Sequence, residues 1–108
     1  HRTYGLAEQY MTEDAERVLV TAGLHSATAR AAVDAARKGG LKAGLLRVAS
    51  LRPFPEAAMA ALSGKDVAVV DSSSLLYREV AQRIRCSSFI LHSPRERDFM
   101  NVLNSMKK

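Results

Sequence analysis

Four times along this chain a short run rich in Val, Leu and Ile gives way to a segment with helical periodicity, and this alternation restricts the fold more than any other feature. The runs are residues 17–22 (RVLVTA), 41–49 (LKAGLLRVA), 67–71 (VAVVD) and 88–91 (SFIL). Each gap between them is long enough for a crossover helix, which needs about ten or more residues. The β-α-β-α-β-α-β-α order therefore predicts an α/β fold: a three-layer αβα sandwich around a mostly parallel sheet of four or five strands. The crossovers are expected to be right-handed. The Val67–Val70 run is almost wholly apolar, as a strand covered on both faces must be.

The intervening segments carry helix signals. Ser26 is a suitable N-cap for a helix running to Lys38, with Ala29, Ala32, Val33 and Ala36 on one face. Gly39-Gly40 ends it, and Arg37 and Lys38 suit the negative end of its dipole. Pro55 fits the first position of a short helix whose Ala58, Met59 and Leu62 point inward. Residues 75–85 predict a third helix through Leu76, Val80 and Ile84. A fourth starts at Pro94, with Phe99, Val102, Leu103 and Met106 as its stripe. Residues 1–16 are polar and mixed, so they read as a lead-in segment outside the sheet, with a turn or short capped helix at Thr12–Ala15. Residues 17–108 read as a single α/β domain. The chain opens at His1 and is expected to be a fragment of a longer protein.

Composition removes several function classes. The lone Cys86 permits neither a disulfide framework nor a thiolate cluster, reads as a small buried residue, and points to a reducing, cytoplasmic setting. No apolar window approaches 18 residues, so no membrane partner is expected. The net charge of +5 is concentrated late: residues 72–108 hold seven Lys/Arg against three Asp/Glu. Arg78, Arg83, Arg85, Arg95 and Arg97 are not interleaved with aromatics, which argues against nucleic acid. His92 has no second ligand at metal spacing.

Ligands of open α/β sheets bind beyond the carboxyl ends of the strands. Gly23, His25 and Ser26 follow the first strand, Arg52 the second, and Asp71 ends the third. These five residues form the candidate crevice. Ser26 opens a helix whose free amides, with Arg52, offer an anion contact. Asp71 reads as a cap for Ser72–Ser74 or as the partner of an arginine. Neither a glycine-rich dinucleotide fingerprint nor a phosphate loop is present, and no catalytic residue is identified.

Five stretches carry a family signal: Glu8-Gln9-Tyr10 with Thr12-Glu13-Asp14-Ala15-Glu16, Val18-Leu19-Val20-Thr21-Ala22-Gly23, Gly44-Leu45-Leu46-Arg47-Val48, Leu51-Arg52-Pro53-Phe54-Pro55, and Val67-Ala68-Val69-Val70-Asp71. In order and spacing they resemble the C-terminal domain of the alpha subunit of 2-oxoacid:ferredoxin oxidoreductases of the pyruvate type. The resemblance implies a fold like the transketolase C-terminal domain. It implies a whole complex that uses thiamine diphosphate, magnesium and iron–sulfur clusters, takes coenzyme A as substrate, reduces ferredoxin, and converts a 2-oxo acid to an acyl-CoA. It implies no cofactor in this domain, whose role would be assembly with other domains or subunits through Tyr4, Tyr10 and Pro53-Phe54-Pro55. Two alternatives stand beside it: a small-ligand or anion-binding regulatory module, and the C-terminal domain of a 2-oxoacid dehydrogenase beta subunit or transketolase.

Overall fold

A computed structural model describes residues 2–3, 7–22, 26–48, 56–71, 75–91 and 95–105. Its strands are β1 (Arg2–Thr3), β2 (Ala7–Tyr10), β3 (Arg17–Ala22), β4 (Ala43–Val48), β5 (Asp66–Asp71) and β6 (Ser87–Ile90). Its helices are α1 (Ser26–Lys38), α2 (Glu56–Ala60), α3 (Leu75–Ala81) and α4 (Glu96–Ser105). The strands form one six-stranded sheet in the order β1-β2-β4-β3-β5-β6. The β4-β3-β5-β6 block is parallel, while β2 joins β4, and β1 joins β2, in antiparallel fashion.

Strand alternation divides the core into two layers. Val18, Val20, Leu46, Val48, Val67 and Val69 pack under Ala58 and Met59 of α2 and Leu76 and Val80 of α3. Leu19, Leu45, Ala68 and Val70 pack under Ala29, Ala32, Val33 and Ala36 of α1 and Phe99, Val102 and Leu103 of α4. The αβα sandwich and its helix faces are thus as the periodicity implies over the described residues; Pro94 and Met106, expected in α4, lie outside them. The alanine face of α1 lets that helix lie close to β3 and β4. Phe99 is completely buried and fills the space beside it.

Two differences from the sequence reading have physical causes. The first sixteen residues contribute two strands, so the expectation of a segment outside the sheet is corrected, and the strand count rises to six. Strand β2 reads Ala-Glu-Gln-Tyr, too short and polar to announce itself. Its stability comes from pairing with the distant β4, where Glu8 stands opposite Arg47. Helices α2 and α3 are shorter than their apolar patterns suggest. Leu62 and Ile84 still pack on the core, but from turns that follow the helices.

Gly44 makes the junction between these parts possible. A Cβ there would lie 2.8 Å from the Met11 carbonyl oxygen, 3.0 Å from Thr12 Cα and 3.1 Å from Ala15 Cβ. The turn after β2 therefore rests directly on β4. Met11 takes φ of 56° as the chain leaves β2 to make this approach.

Candidate functional site

Parallel pairing brings the strand ends together. Ala22 stands opposite Val48, Val20 opposite Val69, and Asp71 opposite Ile90, so β3, β4, β5 and β6 finish on a common edge. Of the crevice residues, Ser26 opens α1 and Asp71 closes β5 on that edge. Asp71 is half-buried, and its carbonyl accepts the Leu91 amide at 2.9 Å. Gly23, His25 and Arg52 lie outside the described residues, as do Tyr4, Pro53, Phe54, Pro55, His92 and Ser72–Ser74. Next to the end of β3, Thr21 is fully buried, and its hydroxyl has no hydrogen-bond partner among the described residues.

The polar chemistry among the described residues is concentrated elsewhere, along the seam of β2, β4 and α1. The Tyr10 hydroxyl donates to Asp34 Oδ1 at 2.6 Å, and the Arg30 guanidinium stacks 4.7 Å from the Tyr10 ring centre. Glu8 faces Arg30 at 3.5 Å and Arg47 at 3.6 Å. Arg37 is a clamp: Nε donates to the Ala43 carbonyl, Nη2 to the Met11 carbonyl, both at 2.7 Å, and the same fork meets Asp14 at 2.8 Å. The Asp34 hydrogen bond, followed by burial, raises the Tyr10 pKa; the Arg37 hydrogen bond lowers that of Asp14. Tyr10, expected at an outer interface, makes these contacts within the domain and stays partly exposed.

On the opposite face Arg83 joins α2 to α3. It donates to Glu56 at 2.7 and 2.8 Å and to the Glu79 side chain at 3.3 Å. These bonds lower the Glu56 pKa and raise that of Arg83. Arg17 Nη1 donates to the Leu103 carbonyl at 2.9 Å and ties the end of α4 to β3. Cys86 is half-buried, and burial raises its thiol pKa, the reverse of an activated nucleophile.

Sequence reasoning missed this charged framework. Its only linear trace is Arg30, Asp34 and Arg37, which lie one helical turn apart on α1 beside the alanine stripe. What the arrangement does chemically is hold elements together. Among the described residues no group of three or more His, Cys, Asp or Glu could hold a metal ion. One cysteine in the whole sequence cannot supply the four thiolates of an iron–sulfur cluster. A depression of about 590 Å³ lined by Glu16, Ser63, Gly64, Lys65 and Asp66 opens at the opposite edge, where the strands begin.

This architecture is an α/β domain with a transketolase-like fold. A solved structure titled "Split gene transketolase, inactive beta4 tetramer" superposes with a TM-score of 0.71 at 15% identity, over 90% of this chain and 40% of that one. The chain belongs to the pyruvate:ferredoxin oxidoreductase core domain II family, whose model matches residues 15–101, from just before β3 into α4. Among relatives, pyruvate synthase subunit PorA of Methanothermobacter thermautotrophicus is 39% identical over 92 residues, covering 78% of this chain and 24% of that protein. Ketoisovalerate oxidoreductase subunit VorB of Methanothermobacter marburgensis is 58% identical over 48 residues, covering 44% of this chain and 14% of its own length. The NADH-dependent phenylglyoxylate dehydrogenase alpha subunit of Aromatoleum evansii is 36% identical over 81 residues, covering 75% and 18%. The chain thus spans under a quarter of the length of these relatives.

Proposed function

We propose that this domain shapes and assembles a thiamine-diphosphate-dependent 2-oxoacid:ferredoxin oxidoreductase and supplies no catalytic group by itself. The whole complex oxidatively decarboxylates a 2-oxo acid, transfers the acyl group to coenzyme A and passes electrons to ferredoxin. We place thiamine diphosphate, magnesium and the clusters on other domains or subunits: one cysteine cannot ligate a cluster, and among the described residues no group of three or more His, Cys, Asp or Glu could hold a metal ion. The observation that carries the reading is the match to core domain II across nearly the whole βα alternation, in relatives named as oxidoreductase and synthase subunits. The internal use of Arg37, Arg83, Tyr10 and Glu8 supports it, since these side chains brace the domain.

The test is turnover. The chain alone, supplied with pyruvate or 2-oxoisovalerate, coenzyme A and a viologen acceptor, reduces no acceptor. The oxidoreductase reconstituted with the chain does, and loses activity when the chain is withheld. Acceptor reduction by the chain alone contradicts the proposal.

A further inference from the structure

Strand β2 is held to the domain differently from the strands beside it. β3, β4 and β5 pack by apolar contact on both faces of the sheet. Of the four residues of β2, only Ala7 belongs to the fully buried core. Gln9 is buried but polar, Glu8 is half-buried, and Tyr10 packs at the margin of the α1 layer. A strand that buries so little apolar surface depends on its pairing with β4 and on its polar ties.

Those ties converge on α1. The Tyr10 hydroxyl donates to Asp34, the Arg30 guanidinium covers the Tyr10 ring, and Arg30 also faces Glu8. Arg30 and Asp34 lie one helical turn apart, so one face of α1 grips both Glu8 and Tyr10. Glu8 meets Arg47 of β4 as well. Guanidinium and carboxylate alternate through the cluster, which makes it a clasp and not a charged patch. Arg30 and Arg47 leave 41% and 36% of their side chains in solvent, so added salt weakens it.

Beyond β2 the chain is fixed. Arg37 holds the Met11 carbonyl and Asp14, and the turn of residues 11–15 rests on Gly44. Met11, at φ of 56° and with an exposed side chain, stands between the strand and this seat. A firm anchor thus follows Met11, and a salt-sensitive clasp precedes it.

We propose that β2 is a latched strap. It opens from β4 as a unit at Met11 while β3, β4 and β5 stay folded, and Glu8, Arg30, Tyr10 and Asp34 are the latch. Opening bares the outer backbone edge of β4, which β2 otherwise pairs. The device lies within the chain itself and holds whether or not the assembly role does.

The experiment is native-state amide hydrogen exchange of the full 108-residue chain, read as protection over a range of low urea and at two salt concentrations. Protection of β2 amides is expected to be at least about tenfold lower than in β3 and β5, with a shallower urea dependence. Raising NaCl from about 0.05 to about 1 M should lower β2 protection about threefold or more. Tyr10→Phe and Glu8→Gln should each lower it about three- to tenfold, and Arg30→Met, which loses both contacts, at least as much as either. Val102→Ala loosens the α4 layer away from the strap, so it should lower protection in β3 and β5 and leave β2 unchanged. A β2 whose protection falls with that of β3 in Val102→Ala, or shares its urea dependence, overturns the strap. Protection of β2 that ignores salt and both latch substitutions overturns the latch and leaves an ordinary fraying edge.

Discussion

Replacing Gly44 with alanine tests the least obvious joint in the fold. The new methyl carbon would stand 2.8 Å from the Met11 carbonyl oxygen and 3.0 Å from Thr12 Cα, and both are backbone atoms that no rotamer change can clear. That carbonyl is also held at 2.7 Å by Arg37, so moving it disturbs the clamp on α1. Overpacking of this kind costs about 1–3 kcal/mol. Against it stands a gain of about 0.5–1 kcal/mol, because alanine loses less freedom than glycine in a strand. The net expectation is a loss of about 1–2 kcal/mol, which for a domain this size lowers Tm by roughly 4–15 °C. Gly39→Ala is the internal control, since its Cβ would meet the Ala36 carbonyl oxygen at 3.5 Å and the Ala35 carbonyl oxygen at 4.0 Å, both ordinary contacts. Urea and thermal unfolding of the two variants, followed by far-ultraviolet circular dichroism, provide the comparison. A Gly44→Ala protein as stable as the parent would refute the direct seating of the 11–15 turn on β4.

Further outcomes follow from the same geometry. Phe99→Ala empties the center of the α1–α4 layer and should cost about 3–5 kcal/mol in urea unfolding. Arg37→Met removes the donors to the Met11 and Ala43 carbonyls, and hydrogen exchange should show the 11–15 turn opening; Arg37→Lys should restore little, because a single ammonium cannot reproduce the fork. The folded Tyr10 pKa is raised above its ordinary value of 10.0, so its bond to Asp34 contributes stability that is fully present below that value and lost as pH rises through the folded pKa. Tyr10→Phe should therefore be less stable than the parent at pH 7, with the difference shrinking above pH 10. Asp14 and Glu56 run the other way: their pKa values are lowered, so their contribution is present above the ordinary carboxylate value and is lost below it, as pH falls through the folded pKa, and the Asp14→Asn and Glu56→Gln variants should show flatter acid unfolding curves.

The parallel core was legible because its signal is local. Val67–Val70 announces a buried strand, Ser26 and Gly39 bound α1, and the spacing of Phe99, Val102 and Leu103 gives the buried face of α4. Strand β2 was not legible, because what makes Ala7–Tyr10 a strand lies far along the chain, in Arg47, Arg30 and Asp34. Nothing in the linear sequence marks Gly44 as the seat for the 11–15 turn, because the atoms it makes room for come from a distant segment. The common strand edge that carries Ser26 and Asp71 could be read from the βα order alone, since parallel strands must all end on the same side. The ion-pair framework could not, since each of its members is an ordinary surface residue in the linear sequence and acquires a partner only through the fold.

Native mass spectrometry of the affinity-tagged chain, expressed at its own level and purified gently, tests the central claim most directly. The account predicts that the chain travels in a stoichiometric assembly whose other parts carry thiamine diphosphate and iron–sulfur clusters. A chain that flies alone, from an extract in which 2-oxo-acid-dependent ferredoxin reduction is intact and sits in a different fraction, would contradict it.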